Sequence, residues 1–561
     1  MPLTLRPWRR LRRSLITLTA TALALTCAPA LASTPAGAGS AAGFERSLLV
    51  RTDQGLVRGE STAGGRQFLG IPYAAEPTGD LRWQAPRRPA NWRGVRDATQ
   101  YGDYCAQNTY WAPGYATEHT TEDCLDVNVY TPPTAARSSR LPVLVWIHGG
   151  ANIGGDARDI VPDTFARRTN SAVVTVNYRL GALGFLTLPG TTGNFALLDQ
   201  QQALRWVQSN IAAFGGDPRQ VTLAGESAGG SAVCAQLASP ASRGLYRAAI
   251  IQSGAYFDCA GIPREKAVAN GLTFAKKLGC TDPATVTDCL RAKPAKAILD
   301  AQNGTFLETW NYTVGGRALP LQPAQAFASG RASHVPVLNG ANSDEGLVFS
   351  YDSFDRWGNP LTADAYPKAL TSAFGDTTGA KALARYPLSA YPRPGYAYAA
   401  AFGDQLFACP ALRTSARLAN RGQVYAYEFA DRTSPLFASL PQNADFDFGA
   451  THAAELNYLF KPYGISASLN AEQRTLADQM TRYWGSFIHG SAPSAPGQPA
   501  MPDQTSTPGE VLQLRTASQS GNAVTSDTQA AHKCDLWDAA ATPDPPSSSP
   551  RPLAGNSPHR K

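Results

Sequence analysis

Val221-Thr-Leu-Ala-Gly-Glu-Ser-Ala-Gly-Gly230 decides how the rest of the chain is read. A short apolar run meets Gly225-Glu226-Ser227-Ala228-Gly229, and small residues follow that can enter a helix. This is the G-x-S-x-G pattern, in which a strand turns sharply into a helix with serine at the apex. The flanking glycines keep side chains away from the neighbouring strand and helix, so the serine can hold a strained backbone conformation. Its hydroxyl then projects into a cleft with a helix N-terminus behind it, where a developing anion is favoured. Taken alone, the pentapeptide also fits an ordinary glycine-rich turn. The surrounding chain has to decide between the two.

On either side of the elbow, apolar runs alternate with helical patterns. Leu141-Pro-Val-Leu-Val-Trp-Ile147 and Ala172-Val-Val-Thr-Val176 are near-continuous apolar runs, as in strands buried on both faces. Asp126–Tyr130 alternates like a strand, and so, near the start, do the stretches around Leu48 and Val57. Leu197 to Phe214 carries Leu204, Val207 and Ile211 at helical spacing and stops at Gly215-Gly216-Asp217-Pro218. Ala248–Ile251, Val335–Leu338 and Val424–Tyr427 are further strand candidates. Strands alternating with helices predict an α/β fold: a mostly parallel central sheet flanked by helices. Asp352 to Phe407 is expected to form helical cover over the site.

The ends of the chain read differently. Five arginines precede an apolar run from Leu15 to Leu25, and Ala30-Leu31-Ala32 offers a cleavage site, so residues 1–32 read as a secretory signal peptide. The apolar part is too short for a membrane span. Arg12-Arg13 leaves Sec and twin-arginine export both open. Residues 33–43 read as a flexible Ala/Gly/Ser-rich segment, 44–540 as one domain, and 541–561 as a disordered Pro/Ser-rich tail. Of the net charge of +7, five charges belong to the leader arginines and two to the tail. The body is therefore neutral, which excludes a concentrated basic face for nucleic acid. Eight of the nine cysteines lie beyond the leader, an even number that suits disulfides in an exported chain, and no C-x-x-C occurs.

Hydrolysis at a serine requires a nucleophile, a base, a group that orients the base, and donors for the oxyanion. Trp146-Ile-His148-Gly149-Gly150-Ala151-Asn152, at the end of an apolar run, supplies small residues whose N–H groups can face a cleft. Glu345, in Asn342-Ser-Asp-Glu-Gly346, is the candidate acid; Asp344 is its rival, and either could equally be a helix N-terminal acid. Among seven histidines, His452 is the candidate base. It follows the Val424 strand through a long loop and completes the order Ser227, acid, histidine.

The chain resembles the type-B carboxylesterases, the group that includes cholinesterases, mammalian carboxylesterases and some fungal lipases. The likeness runs from about Gly55 to Cys534. It is carried by Phe68-Leu-Gly-Ile-Pro-Tyr73, Glu122-Asp-Cys-Leu-Asp-Val-Asn-Val-Tyr130, Asn177-Tyr-Arg-Leu-Gly-Ala-Leu-Gly-Phe185, Gly193-Asn-Phe-Ala-Leu-Leu-Asp-Gln200, Phe214-Gly-Gly-Asp-Pro218, Gln252-Ser-Gly254 and Gly449-Ala-Thr-His-Ala-Ala-Glu-Leu456, with the elbow among them. The resemblance implies an α/β-hydrolase fold and a catalytic triad of Ser227, Glu345 and His452. It implies oxyanion donors at Gly150, Ala151 and Ala228, and supporting roles for Glu226 and Ser253. It implies disulfides Cys105–Cys124, Cys280–Cys289 and Cys409–Cys534, with Cys234 and Cys259 either free and buried or paired together. Ala151 stands where the family usually has a third glycine, Asp126 where it more often has an apolar residue, and Gly315-Gly316 where Asp-Gly is common.

The expected activity is hydrolysis of small-molecule carboxylic esters by a secreted serine enzyme. It requires no cofactor and no metal, and involves no nucleic acid and no membrane span. A long-chain lipase and a choline-ester hydrolase are the alternatives within the class; Trp111 could stack a quaternary ammonium. A non-catalytic binding protein on the same fold is the alternative outside it. A complete set of three triad residues weighs against that last reading. The natural ester and the oligomeric state are not legible in the sequence.

Overall fold

The computed structural model describes residues 48–108, 120–302, 309–437, 440 and 445–540. The leader, the N-terminal segment, Trp111, His119 and the tail lie outside the described residues.

An eleven-stranded sheet organises the chain. In chain order its strands are β1 (Glu60–Thr62), β2 (Gly65–Pro72), β3 (Asp126–Thr131), β4 (Leu141–Ile147), β5 (Ala172–Val176), β6 (Gly216–Glu226), β7 (Ala248–Gln252), β8 (Val337–Asn342), β9 (Val424–Phe429), β10 (Val511–Leu514) and β11 (Ala523–Thr525). Across the sheet they run β11-β10-β9-β8-β7-β6-β4-β5-β3-β2-β1. From β10 to β5 every pairing is parallel, while β3, β2 and β1 at one edge and β11 at the other are antiparallel. The expected mostly parallel sheet is present. Antiparallel strands close both of its edges.

The two faces of the sheet bury different cores, as period-two alternation requires. On β4, Val143, Val145 and Ile147 join one cluster and Leu144 and Trp146 the other. The helices Phe195–Asn210 and Ala228–Ala238 pack on the first face through residues such as Leu204, Val207 and Val233. The helix Ala471–Ile488 packs on the second through Met480, Tyr483 and Trp484. It starts in a capping box: Gln473 N–H donates to Asn470 Oδ1 and Asn470 N–H to Gln473 Oε1. Leu347–Ser353, Tyr366–Phe374, Asp376–Arg385 and Pro394–Gly403 give the segment after β8 its expected helical character.

The alternation near Leu48 and Val57 belongs to a separate small sheet, in which Leu49–Arg51 and Leu56–Arg58 join Val95–Asp97. The strand expected at Val335–Leu338 begins two residues later, because Val335 precedes Pro336 at the strand entrance and the pairing continues to Asn342. The disulfides Cys105–Cys124, Cys280–Cys289 and Cys409–Cys534 are present, and Cys234 is joined to Cys259. Of the two alternatives for Cys234 and Cys259, the pair is the one found.

Candidate active site

The site is assembled at the C-terminal ends of the parallel strands. Strand β6 ends at Glu226, and Ser227 follows with φ 55° and ψ −122°, a conformation L-residues seldom adopt. Its N–H donates to Gln252 O at the end of β7, 2.9 Å away, which anchors the turn. Gly229 has to be glycine, since a Cβ there would lie 2.0 Å from the Ile147 carbonyl oxygen on β4. Ala228 opens the following helix, so its N–H is one of those the helix leaves unpartnered.

The turn after β4 lies against this elbow. Gly150 has φ 98° and Ala151 φ 54°. The N–H groups of Ile153 and Gly154 donate to Gly150 O at 3.1 and 3.0 Å and close the turn. A Cβ on Gly150 would meet Gly154 O at 2.2 Å. The ring of His148 stacks on Tyr178 with centroids 4.4 Å apart, and its Nδ1 lies 2.9 Å from Gly149 O. Burial pulls the His148 imidazole down to about 4, so it is neutral and its Nδ1–H is the donor.

His452 closes the constellation. Its Nε2 lies 2.8 Å from Ser227 Oγ and its Nδ1 2.5 Å from Glu345 Oε2. Glu345, 1% exposed, sits just past β8. Its Oε1 accepts from Asn342 N at 2.8 Å and from Ser253 Oγ at 2.5 Å. Asp344 faces elsewhere: its Oδ2 accepts from Ala450 N at 3.1 Å, and its Oδ1 pairs with Arg432. The alternative of a helix-capping acid is not what is found, since the helix Leu347–Ser353 has Gly346 at its N-cap and no side-chain cap. Asp344 instead holds the loop that delivers His452.

Three buried carboxyls surround the imidazole. Glu226 Oε1 lies 3.3 Å from His452 Nε2, and burial pushes this carboxyl up to about 8. Burial works against a charged His452, but Glu226 and Glu345 outweigh it and carry the imidazole up to about 9. The third, Glu455, is fully buried one turn after His452. Its two oxygens accept from Gln252 Nε2 at 3.0 Å and Asn342 Nδ2 at 2.8 Å. The rings of Phe349 and Phe407 pack on His452, with centroids 5.1 and 4.7 Å from it. Among the described residues no group of three His, Cys, Asp or Glu is arranged to hold a metal.

The sequence profile of the carboxylesterase family matches residues 46–537. The chain belongs to the carboxylesterase family. It is 33% identical to human cocaine esterase over 509 residues, covering 86% of this chain and 88% of that one. It is 34% identical to para-nitrobenzyl esterase of Bacillus subtilis over 479 residues, 82% and 93% of the two chains. Among solved structures, a thermophilic PNB esterase superposes with a TM-score of 0.73 at 30% identity, covering 88% of this chain and 100% of that one. This carboxylesterase therefore has the α/β-hydrolase fold, and it is a carboxylic ester hydrolase.

The structure brings the sequence candidates Ser227, Glu345, His452, Glu226 and Ser253 to one place, beside the turn of Gly150 and Ala151 and the start of the Ala228 helix. Glu455, Asn342, Phe349 and Phe407 join them without having been assigned a role from the sequence. Glu455 was in view as the last acid of Thr-His-Ala-Ala-Glu, three residues after the histidine. Phe349 follows Glu345 by four residues, one helical turn, which is the only local signal for it. Phe407 carries none. Asp126 is buried and burial pushes its carboxyl well above the usual range; Asn177 Nδ2 reaches it at 3.4 Å. Gly315 has φ 95°, which glycine tolerates.

Proposed function

We propose that this carboxylesterase is exported and cleaves small-molecule esters through an acyl-enzyme on Ser227. The observation that carries the reading is the unbroken line of contacts Ser227 Oγ–His452 Nε2–His452 Nδ1–Glu345 Oε2, at 2.8 and 2.5 Å. Ser227 Oγ attacks the ester carbonyl while His452 Nε2 takes its proton. Glu345 accepts from Nδ1–H, fixes the tautomer, and stabilises the imidazolium that forms. Ser253 and Asn342 N–H hold Glu345 from the other side and keep it from turning. The N–H groups of Gly150, Ala151 and Ala228 receive the oxyanion. His452 then gives its proton to the leaving alcohol, and a water activated by the same nitrogen releases the acid.

Export is supported by the leader-like residues 1–32 and by four disulfides, which persist in oxidising compartments. No helix among the described residues is long and apolar enough to cross a membrane. The organisation that goes with this is a mature domain over 44–540 followed by a Pro/Ser-rich tail.

The test uses a fluorophosphonate probe and p-nitrophenyl esters of rising acyl length. Wild type should turn over the esters and carry the label on Ser227; purified, folded Ser227→Ala should do neither. Label on Ser253, or more than a few per cent of activity in Ser227→Ala, would remove Ser227 from its role.

A further inference from the structure

A second carboxylate–imidazole cluster lies away from the reacting groups. His532 Nδ1 is 2.5 Å from Asp404 Oδ1, and its Nε2 is 2.6 Å from Glu428 Oε1. All three residues are buried. Both ring nitrogens face carboxylate oxygens, an arrangement that suits an imidazolium donating from both. Burial opposes that charge, but the two carboxylates hold the imidazole well above its ordinary range. The remaining oxygens are also used: Tyr386 OH donates to Asp404 Oδ2 at 2.7 Å and Gln513 Nε2 to Glu428 Oε2 at 2.6 Å.

Buried ionic clusters of this kind are poor sources of stability but can fix the register of the parts they join. Here three parts meet. Glu428 belongs to β9, in the rigid sheet. His532 lies in the C-terminal segment, two residues before Cys534 and its disulfide to Cys409. Asp404 opens a π-helical turn, Asp404–Ala408, that continues the cover helix Pro394–Gly403. Single π-turns are rare, occur mostly as bulges inside α-helices, and are frequent at functional sites. This one is held at its start by His532 and just past its end by the disulfide at Cys409. Between the two anchors sits Phe407, which stacks on Phe349 at 5.5 Å and packs on His452 at 4.7 Å.

We propose that His532 is a positioning residue for ester binding: it ties the π-turn to the sheet and so fixes Phe407 as the wall beside His452 that limits the bulk of the ester. The proposal rests on the esterase reading of Ser227, Glu345 and His452. A residue acting only on stability would lower the melting temperature or the active fraction and scale all substrates alike. A residue that sets a wall changes the ranking of substrates.

Steady-state kinetics on p-nitrophenyl acetate, butyrate and octanoate, with wild type, Phe407→Ala, His532→Ala and the double variant, distinguish the two. Phe407→Ala should raise the octanoate-to-acetate ratio of kcat/KM by about tenfold, the scale of one apolar contact in a pocket. His532→Ala should shift the ratio in the same direction, chiefly through KM, and the double variant should add little to Phe407→Ala. If His532→Ala is not recovered folded, Asp404→Asn, which keeps the shape and removes one charge, takes its place. An unchanged ratio in Phe407→Ala, or in the folded cluster variant, overturns the proposal. Absence of any ester turnover and of Ser227 labelling in wild type would instead overturn the esterase mechanism beneath it.

Discussion

Glu226 Oε1 lies 3.3 Å from His452 Nε2, the same ring nitrogen that faces Ser227 Oγ. One nitrogen therefore serves a hydroxyl and a buried carboxyl. Burial pushes the Glu226 carboxyl up to about 8 while the imidazole beside it pulls it down, and Glu345 is the carboxylate that touches the other ring nitrogen. As Glu226 ionises it stabilises the imidazolium and raises the pH at which His452 becomes free to act as base. Glu226→Gln removes that contribution. The acid limb of kcat/KM should move to lower pH, because the amide cannot supply the negative charge that stabilises the imidazolium. A limb that stays in place or moves to higher pH would show that Glu226 does not act on His452.

Glu345 and Asp344 separate cleanly. Glu345→Gln can donate to Nδ1 and favour the wrong tautomer, and the analogous change in another triad costs about 10⁴-fold in kcat. Asp344→Asn leaves that contact intact. It weakens the hold on Ala450 N and Arg432, for an expected stability loss of about 1 kcal/mol and activity within about tenfold of wild type. Comparing kcat/KM and thermal melts of the two variants decides the assignment; a dead Asp344→Asn beside a live Glu345→Gln would reverse it.

What could be seen in the sequence follows the range of the contacts involved. The elbow and the buried strands β4, β5 and β6 are local patterns and were legible. The edge strands β1 and β11, Glu60–Thr62 and Ala523–Thr525, are short and largely solvent-facing, so they lack an apolar signature. Choosing Glu345 over Asp344 needed family likeness, because the residues that tell them apart, His452 and Ala450, lie more than a hundred positions away. His532 carries no local signal of its role. Its two partners sit 128 and 104 residues earlier, on elements that only the fold brings together.

The disulfides predict a specific peptide map. Non-reducing digestion should yield four linked pairs, including Cys234–Cys259, which ties the helix after Ser227 to the segment after β7. Cys409 and Cys534 are 125 positions apart. Their joint replacement by Ser should therefore cost the most, between about 4 and 5 kcal/mol in the chain-entropy account. Free thiol at Cys234 under oxidising conditions, or a larger loss from the Cys280–Cys289 pair, would contradict this ranking.

Glu455 should matter without taking part in the reaction. Its oxygens face two donors whose orientation is already set. Gln252 must present its nitrogen, because its oxygen accepts from Trp484 Nε1–H, which can only donate. Asn342 must do the same, because its nitrogen also donates to Thr451 O. A Glu455→Gln amide would turn its own NH₂ toward one of these two groups, and neither can flip to receive it. One buried hydrogen bond is lost and a donor is left unsatisfied, at a cost of about 1–3 kcal/mol. Thr451 is the residue before His452, so the loop carrying the base should loosen, and kcat should fall by roughly 10-fold, well short of what loss of a triad member costs. Thermal melts and kcat on one short-chain ester measure both effects. A loss as deep as that of Ser227→Ala, with the melting temperature unchanged, would place Glu455 among the reacting groups and refute this role.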